Sequence, residues 1–125
     1  MHPDAAVRVL LVEDQRDLRE LLKSGLERRG IQVLACGEAG EARTGLKSSP
    51  DIDAVVTDAT LREVDDGLDL AREIHETQPD MPVVVVSGSR DVIARAKGVA
   101  SAVLEKPISA GKLASVLESV TGGIH

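Results

Sequence analysis

Four short apolar runs punctuate the chain: VRVLLV (7–12), AVVT (54–57), VVVV (83–86) and AVL (102–104). A half-exposed strand would alternate apolar and polar side chains, and these runs do not. Continuous β-branched runs suit strands covered on both faces, as in a parallel sheet. IQVLA (31–35) predicts a weaker fifth strand at an edge. The segments between the runs have a helical period. Leu18, Leu21, Leu22 and Leu26 share one face, as do Gly67, Leu70, Ala71 and Ile74, and again Leu113, Val116, Leu117 and Val120. Shorter helices are predicted over 38–46 and 91–97, and Asp66 and Ser109 stand where N-caps are useful. Strand then helix, five times over, implies right-handed crossovers and a doubly wound α/β fold, with helices on both faces of one parallel sheet. No repeat, low-complexity stretch or linker interrupts the pattern. One domain is expected over 1–125, with its core at about 7–120 and, since only TGGIH follows the last helix, no output domain.

Composition narrows the chemistry. Phe, Trp and Tyr are all absent, so the core must be built from Val, Leu, Ile and Ala. That argues against base stacking on single-stranded nucleic acid and against a flavin site walled by rings. The formal charge of -6 opposes non-specific nucleic-acid binding, which needs a basic face. A lone cysteine, Cys36, makes neither an internal disulfide nor a cysteine metal site, so nothing points to secretion. The opening MHPDAAVRVLLV lacks the basic start of a signal peptide. No apolar run approaches the ~20 residues of a membrane helix. A soluble, cytoplasmic domain is expected, with no nucleic-acid or membrane partner.

In an open parallel sheet, ligands bind beyond the carboxyl ends of the strands. The residues there are Glu13 and Asp14 after the first run, Asp58 after the third, Ser87 and Gly88 after the fourth, and Lys106 and Pro107 after the fifth. Three neighbouring carboxylates repel one another, and a divalent cation relieves the repulsion. All-oxygen donors favour Mg²⁺ or Mn²⁺ over Zn²⁺. Such a cation keeps Asp58 ionised and draws in a phosphoryl group, whose phosphorus Asp58 can attack to give an acyl phosphate. The Lys106 ammonium and Ser87 hydroxyl suit the charged phosphoryl oxygens, and Gly88 lets the backbone come close. Taken singly, each residue has a plainer reading. Glu13-Asp14 is a helix-start acidic pair, Asp58 a turn or cap residue, Ser87-Gly88 a turn, and Lys106 a solvated charge. What favours the site is that all five fall in register. Cys36 reads as an inert small residue ending the edge strand. His2, His75 and His125 read as solvated, and Asp65-Asp66 with Glu63 as a solvated loop plus a cap.

These residues, in VEDQ, VVTDATL, VVVVSG and LEKP, resemble the receiver domain of bacterial two-component response regulators over nearly the whole chain. The resemblance implies a flavodoxin-like five-stranded sheet in the order 2-1-3-4-5. It implies Asp58 as phosphoacceptor and Asp14 as a direct metal ligand, with Glu13 helping to hold the metal and the Thr60 backbone carbonyl as a further ligand. Ser87 and Lys106 would contact the phosphoryl group, and the Lys106–Pro107 bond would be cis. Three departures stand out. The family's Asp-x-x-Met-Pro-x-x-Asp-Gly is here DATLREVDDG: Leu61 replaces Met, Arg62 replaces Pro, and Asp66-Gly67 arrives one residue late. This longer loop resembles that of hybrid-kinase receivers. The fourth helix, in DVIARAKGV, is short. Val103 stands where the family has an aromatic ring. Valine is short and stiff at χ1, so signalling is expected to run through the backbone of 87–91 and the fourth helix.

The resemblance implies a receiver, stand-alone or cut from a hybrid kinase. It would take a phosphoryl group from a histidine kinase or phosphotransfer protein onto Asp58 with Mg²⁺ (or Mn²⁺) and later hydrolyse it. It would catalyse only its own phosphorylation and dephosphorylation, and as a monomer or weak dimer it would regulate a downstream protein partner through a changed surface. One alternative is a haloacid-dehalogenase-like phosphatase. That family needs Asp-x-Asp, and Thr60 stands at the second acid's place. The other is a degenerate receiver acting only as an interaction module, whose usual mark is loss of the acids or the lysine.

Overall fold

Strand and helix alternate along the chain: β1 Arg8–Val12, α1 Arg16–Glu27, β2 Gln32–Cys36, α2 Ala39–Ser48, β3 Ala54–Asp58, α3 Asp66–Thr77, β4 Val83–Ser87, α4 Arg90–Ala96, β5 Ala102–Glu105 and α5 Ala110–Val120. The computed structural model describes residues 6–61 and 66–122. The strands form one parallel sheet in the order β2-β1-β3-β4-β5. Val9 to Val12, Val55, Val56 and Val83 to Val86 are buried, as strands covered on both faces must be. At the edge, β2 is only half-buried beyond Gln32.

Alternation along the strands divides the apolar residues between two separate cores. Leu10, Val12, Val55, Val83 and Val85 face α2, α3 and α4, meeting Ala42, Leu68, Leu70, Ala71, Ile74, Val92 and Ala96. Val9, Leu11, Ala54, Val56, Val84 and Val86 face α1 and α5, meeting Leu22, Leu26, Leu113 and Leu117. With no ring to fill space, the layers close by near approach. A methyl group on Gly25 of α1 would stand 2.3 Å from the Ala110 Cβ of α5. Among the described helices none is long and apolar enough to cross a membrane.

Three predicted details change. Leu21 is 68% exposed, so it does not share the buried face of Leu22 and Leu26. At about 100° per residue, Leu18, Leu22 and Leu26 form a narrow i, i+4 ridge, and Leu21 falls outside it. Asp66 is the first residue of α3 rather than its cap. The strands β2, β3, β4 and β5 run one residue further than their apolar runs, because Cys36, Asp58, Ser87 and Glu105 continue the ladder. Ser109 caps α5 as expected, its Oγ accepting from Lys112 N–H at 3.1 Å. Ser89 caps the short α4 in the same way, through Val92 N–H. Glu63, Asp65, Arg62, His2 and His125 lie outside the described residues.

Candidate functional site

At the carboxyl edge the backbone ladder continues past the strands: Glu13 N–H donates to the Cys36 carbonyl, Ala59 N–H to Val86, and Lys106 N–H to Ser87. This carries Glu13, Asp58 and Lys106 to neighbouring positions. Strand alternation puts all three on the face covered by α1 and α5, since they keep step with Leu11, Val56 and Leu104. Ser87 keeps step with Val83 and Val85, so it stands on the α2–α3–α4 face.

Lys106 Nζ lies 2.5 Å from Asp58 Oδ2 and 3.4 Å from Glu13 Oε1. The Asp58 and Glu13 side chains are 9% and 4% exposed, that of Lys106 27%. Beneath them Leu11, Val56, Val86 and Ile108 form an apolar floor, which strengthens each charge interaction above it. Glu13, Asp14 and Asp58 each present a carboxylate oxygen within 4.8 Å of the others. Asp14 is exposed and opens this cluster to solvent. Burial holds the Glu13 carboxyl above the usual carboxylate range; Asp58's charge adds to this, while the Gln15 N–H and Lys106 oppose it without prevailing. Burial by itself would lower the Lys106 ammonium, but the hydrogen bond and charge of Asp58, with those of Glu13, hold it above the ordinary lysine value.

The remaining predicted residues are placed as follows. Thr60 N–H donates to Asp58 Oδ1 at 3.1 Å, so the backbone next to the acid already turns around it. The Ser87 Oγ accepts from Ser89 N–H at 3.0 Å, a contact within the loop before α4. The Lys106–Pro107 peptide is cis. Val103 is half-buried and packs on the α4 side. Cys36 ends the edge strand, half-buried, and burial with the nearby Glu41 charge pushes its thiol up to about 11, which keeps it inert at neutral pH.

Two supports near Asp58 had no role in the sequence reading of the site. Thr57 Oγ1 donates to the Asp58 carbonyl at 2.9 Å in a fully buried position. The first turn of α3 packs directly on that carbonyl: a Cβ at Gly67 would sit 1.6 Å from Asp58 O and 2.7 Å from its carbonyl carbon. Gly67 and Leu68 N–H both donate to the Ala59 carbonyl, which binds α3 to the acid's own loop. The Asp66-Gly67 pair was the available signal for this; nothing local marks Thr57.

A buried aspartate paired with a lysine and set among acids stands at the carboxyl edge of this parallel α/β sheet. Residues 9–118 match the response regulator receiver domain, and the chain belongs to that family. It is 33% identical over 114 residues to the C4-dicarboxylate transport transcriptional regulatory protein DctD of Pseudomonas aeruginosa, covering 88% of this chain and 24% of that protein. It is 30% identical to the response regulator receiver protein CpdR of Brucella abortus, covering 90% and 95%. The chain thus spans about a quarter of DctD and nearly all of CpdR. Among solved structures, a response regulator receiver protein from Sinorhizobium medicae superposes with a TM-score of 0.81 at 32% identity, covering 94% and 95%. The receiver domain of NtrX from Brucella abortus gives 0.83 at 29%, covering 91% and 98%. The protein is a receiver domain of two-component phosphorelay signalling.

Proposed function

We propose that Asp58 is the phosphoacceptor of this receiver, working with Lys106, Ser87 and a Mg²⁺ ion. The observation that carries the reading is the Lys106–Asp58 contact at 2.5 Å within a cluster of three carboxylates. The donor set fits a hard divalent cation: among the described residues the carboxylates of Glu13, Asp14 and Asp58 come together with neither sulfur nor imidazole, and we assign the Thr60 backbone carbonyl as a further ligand. Held by these residues, Mg²⁺ (or Mn²⁺) would supply positive charge that offsets the repulsion among the acids and the charge of an incoming phosphoryl group. An Asp58 oxygen then forms a bond to phosphorus as the P–N bond to the donor histidine breaks. Lys106 releases the carboxylate and follows the charged phosphoryl oxygens, and the Ser87 hydroxyl turns from Ser89 N–H to donate to one of them. Water later cleaves the acyl phosphate.

The donor is a histidine kinase or a phosphotransfer protein, met in the cytoplasm. The output is a changed surface read by a downstream protein. The unit that does this is the single domain with its core at about 7–120, whether it works by itself or within a longer protein, as a monomer or weak dimer. The test is incubation with acetyl phosphate and Mg²⁺, followed by mass spectrometry to map the adduct. One phosphoryl group on Asp58 is expected, and none in Asp58→Asn, which folds normally because the change is nearly isosteric. Undiminished adduct in that variant would overturn the assignment.

A further inference from the structure

The turn that carries Glu13 and Asp14 is held from three sides. Glu13 N–H donates to the Cys36 carbonyl at 3.0 Å, and the Glu13 carboxylate accepts from Gln15 N–H at 3.0 Å. The third tie comes from α1. The half-buried Arg19 reaches back, and its Nη1 donates to the Glu13 carbonyl at 2.9 Å. That carbonyl belongs to the peptide unit joining the two acids. Its orientation sets the direction in which the Asp14 side chain leaves the backbone.

The guanidinium fits there only because of the residue across from it. A Cβ on Gly37 would stand 2.9 Å from Arg19 Nη1 and 3.8 Å from the Glu13 carbonyl oxygen. Gly37 is itself tied down, its N–H donating to Glu41 Oε1 at 3.1 Å. Its backbone is outside the left-handed region, so an alanine there adds a methyl group without straining the chain. Around this space stand Asp14, Glu38 and Glu41, with Arg19 the basic residue among them.

We propose that Arg19 is a positioning residue that sets the Glu13–Asp14 peptide for cation binding, and that Gly37 keeps the slot open for it. This rests on the reading of the acid cluster as a cation site. Two effects of Arg19 oppose each other. Its charge repels a divalent cation, so if charge alone mattered, removing it would tighten binding. Its hydrogen bond orients the ligand-bearing turn, so losing that bond loosens binding. Groups that orient metal ligands typically change affinity by about 10–100-fold, whereas the charge of the half-buried Arg19 is already offset by the Glu38 and Glu41 carboxylates around the same space. Positioning therefore decides the sign.

The experiment titrates Mg²⁺ into the full chain, following thermal melting by circular dichroism, with phosphorylation by acetyl phosphate as a second readout. Arg19→Met is expected to weaken Mg²⁺ about tenfold while phosphorylation at saturating Mg²⁺ stays near the wild-type rate. Gly37→Ala keeps every charge and is expected to weaken Mg²⁺ in the same direction, by crowding the guanidinium. Made in the Arg19→Met background, it is expected to add nothing, because its effect passes through Arg19. Mg²⁺ binding as tight as wild type or tighter in Arg19→Met overturns the proposal. So does a Gly37→Ala effect that persists without Arg19. If Arg19→Met fails to fold, Gly37→Ala decides alone, and unaltered Mg²⁺ affinity overturns the proposal. A wild-type chain that neither gains stability from Mg²⁺ nor takes up phosphoryl overturns the cation-site reading, and the role of Arg19 with it.

Discussion

Lys106→Met removes the cation that lies against two nearly buried carboxylates while keeping much of the side chain's volume. Breaking a buried ion pair from one side costs about 3–5 kcal/mol, because the remaining charge is left uncompensated. Lys106 is 27% exposed and Asp14 opens the cluster to solvent, so the cost falls below that range, to roughly 2–3 kcal/mol without metal at neutral pH. The same change raises the net charge of the four-group cluster from two negative to three. A divalent cation should therefore bind the variant more tightly. Each tenfold gain in affinity returns about 1.4 kcal/mol of folding stability at fixed excess Mg²⁺. Urea unfolding followed by circular dichroism, with and without millimolar Mg²⁺, measures both quantities; with no Trp or Tyr the chain offers no useful fluorescence. The expected pattern is a weak metal-free variant that Mg²⁺ rescues by more than it helps the wild type, while phosphorylation is lost. A variant as stable as wild type without metal, or one that gains no more from Mg²⁺, would refute the electrostatic argument.

The raised Glu13 carboxyl has a definite pH consequence. A group raised in the folded state contributes stability below its unfolded value and loses it as pH rises through the folded one. Glu13→Gln, a mimic of the protonated acid, should thus stabilise the metal-free protein near pH 8, and the gain should shrink toward about pH 4; a constant difference in urea midpoint would contradict this. Gly67→Ala should cost about 3 kcal/mol, the upper end for overpacking, since the obstructing atoms are Asp58 backbone; a negligible change in melting temperature would mean that α3 yields freely. Cys36 should resist iodoacetamide at pH 8 in the folded chain and react on unfolding in urea, and equal rates would disprove its burial as the cause. Beryllofluoride should shift amide resonances most from Ser87 through Lys97. Changes centred on Val103 with α4 still would oppose a backbone route for the signal.

The strands were legible because buried parallel strands need unbroken β-branched runs, and VVVV or VRVLLV admits little else. Their last residues were not, since Asp58 and Ser87 carry polar side chains while their backbones still pair. The acids and the lysine were visible because each follows a strand directly. What supports them was hidden. Arg19 looks like any charge on a solvated helix face, and its tie to Glu13 exists only once α1 packs back over the β1 end. Leu21 misled for a related reason: period alone cannot say how wide a stripe the sheet and α5 will cover.

The opposite parity of Lys106 and Ser87 makes the sheet a diaphragm with one stitch through it. Each core packs against its own side of the strands, and among the described residues no buried apolar side chain belongs to both. On the proposed roles of these two residues, a phosphoryl group held by the ammonium on one side and the hydroxyl on the other would draw the two layers together. Tension applied there would reach α1 and α5 through Lys106 and α4 through Ser87. On that proposal, a protein resting on either side of the molecule would register the state of the same carboxylate without touching it.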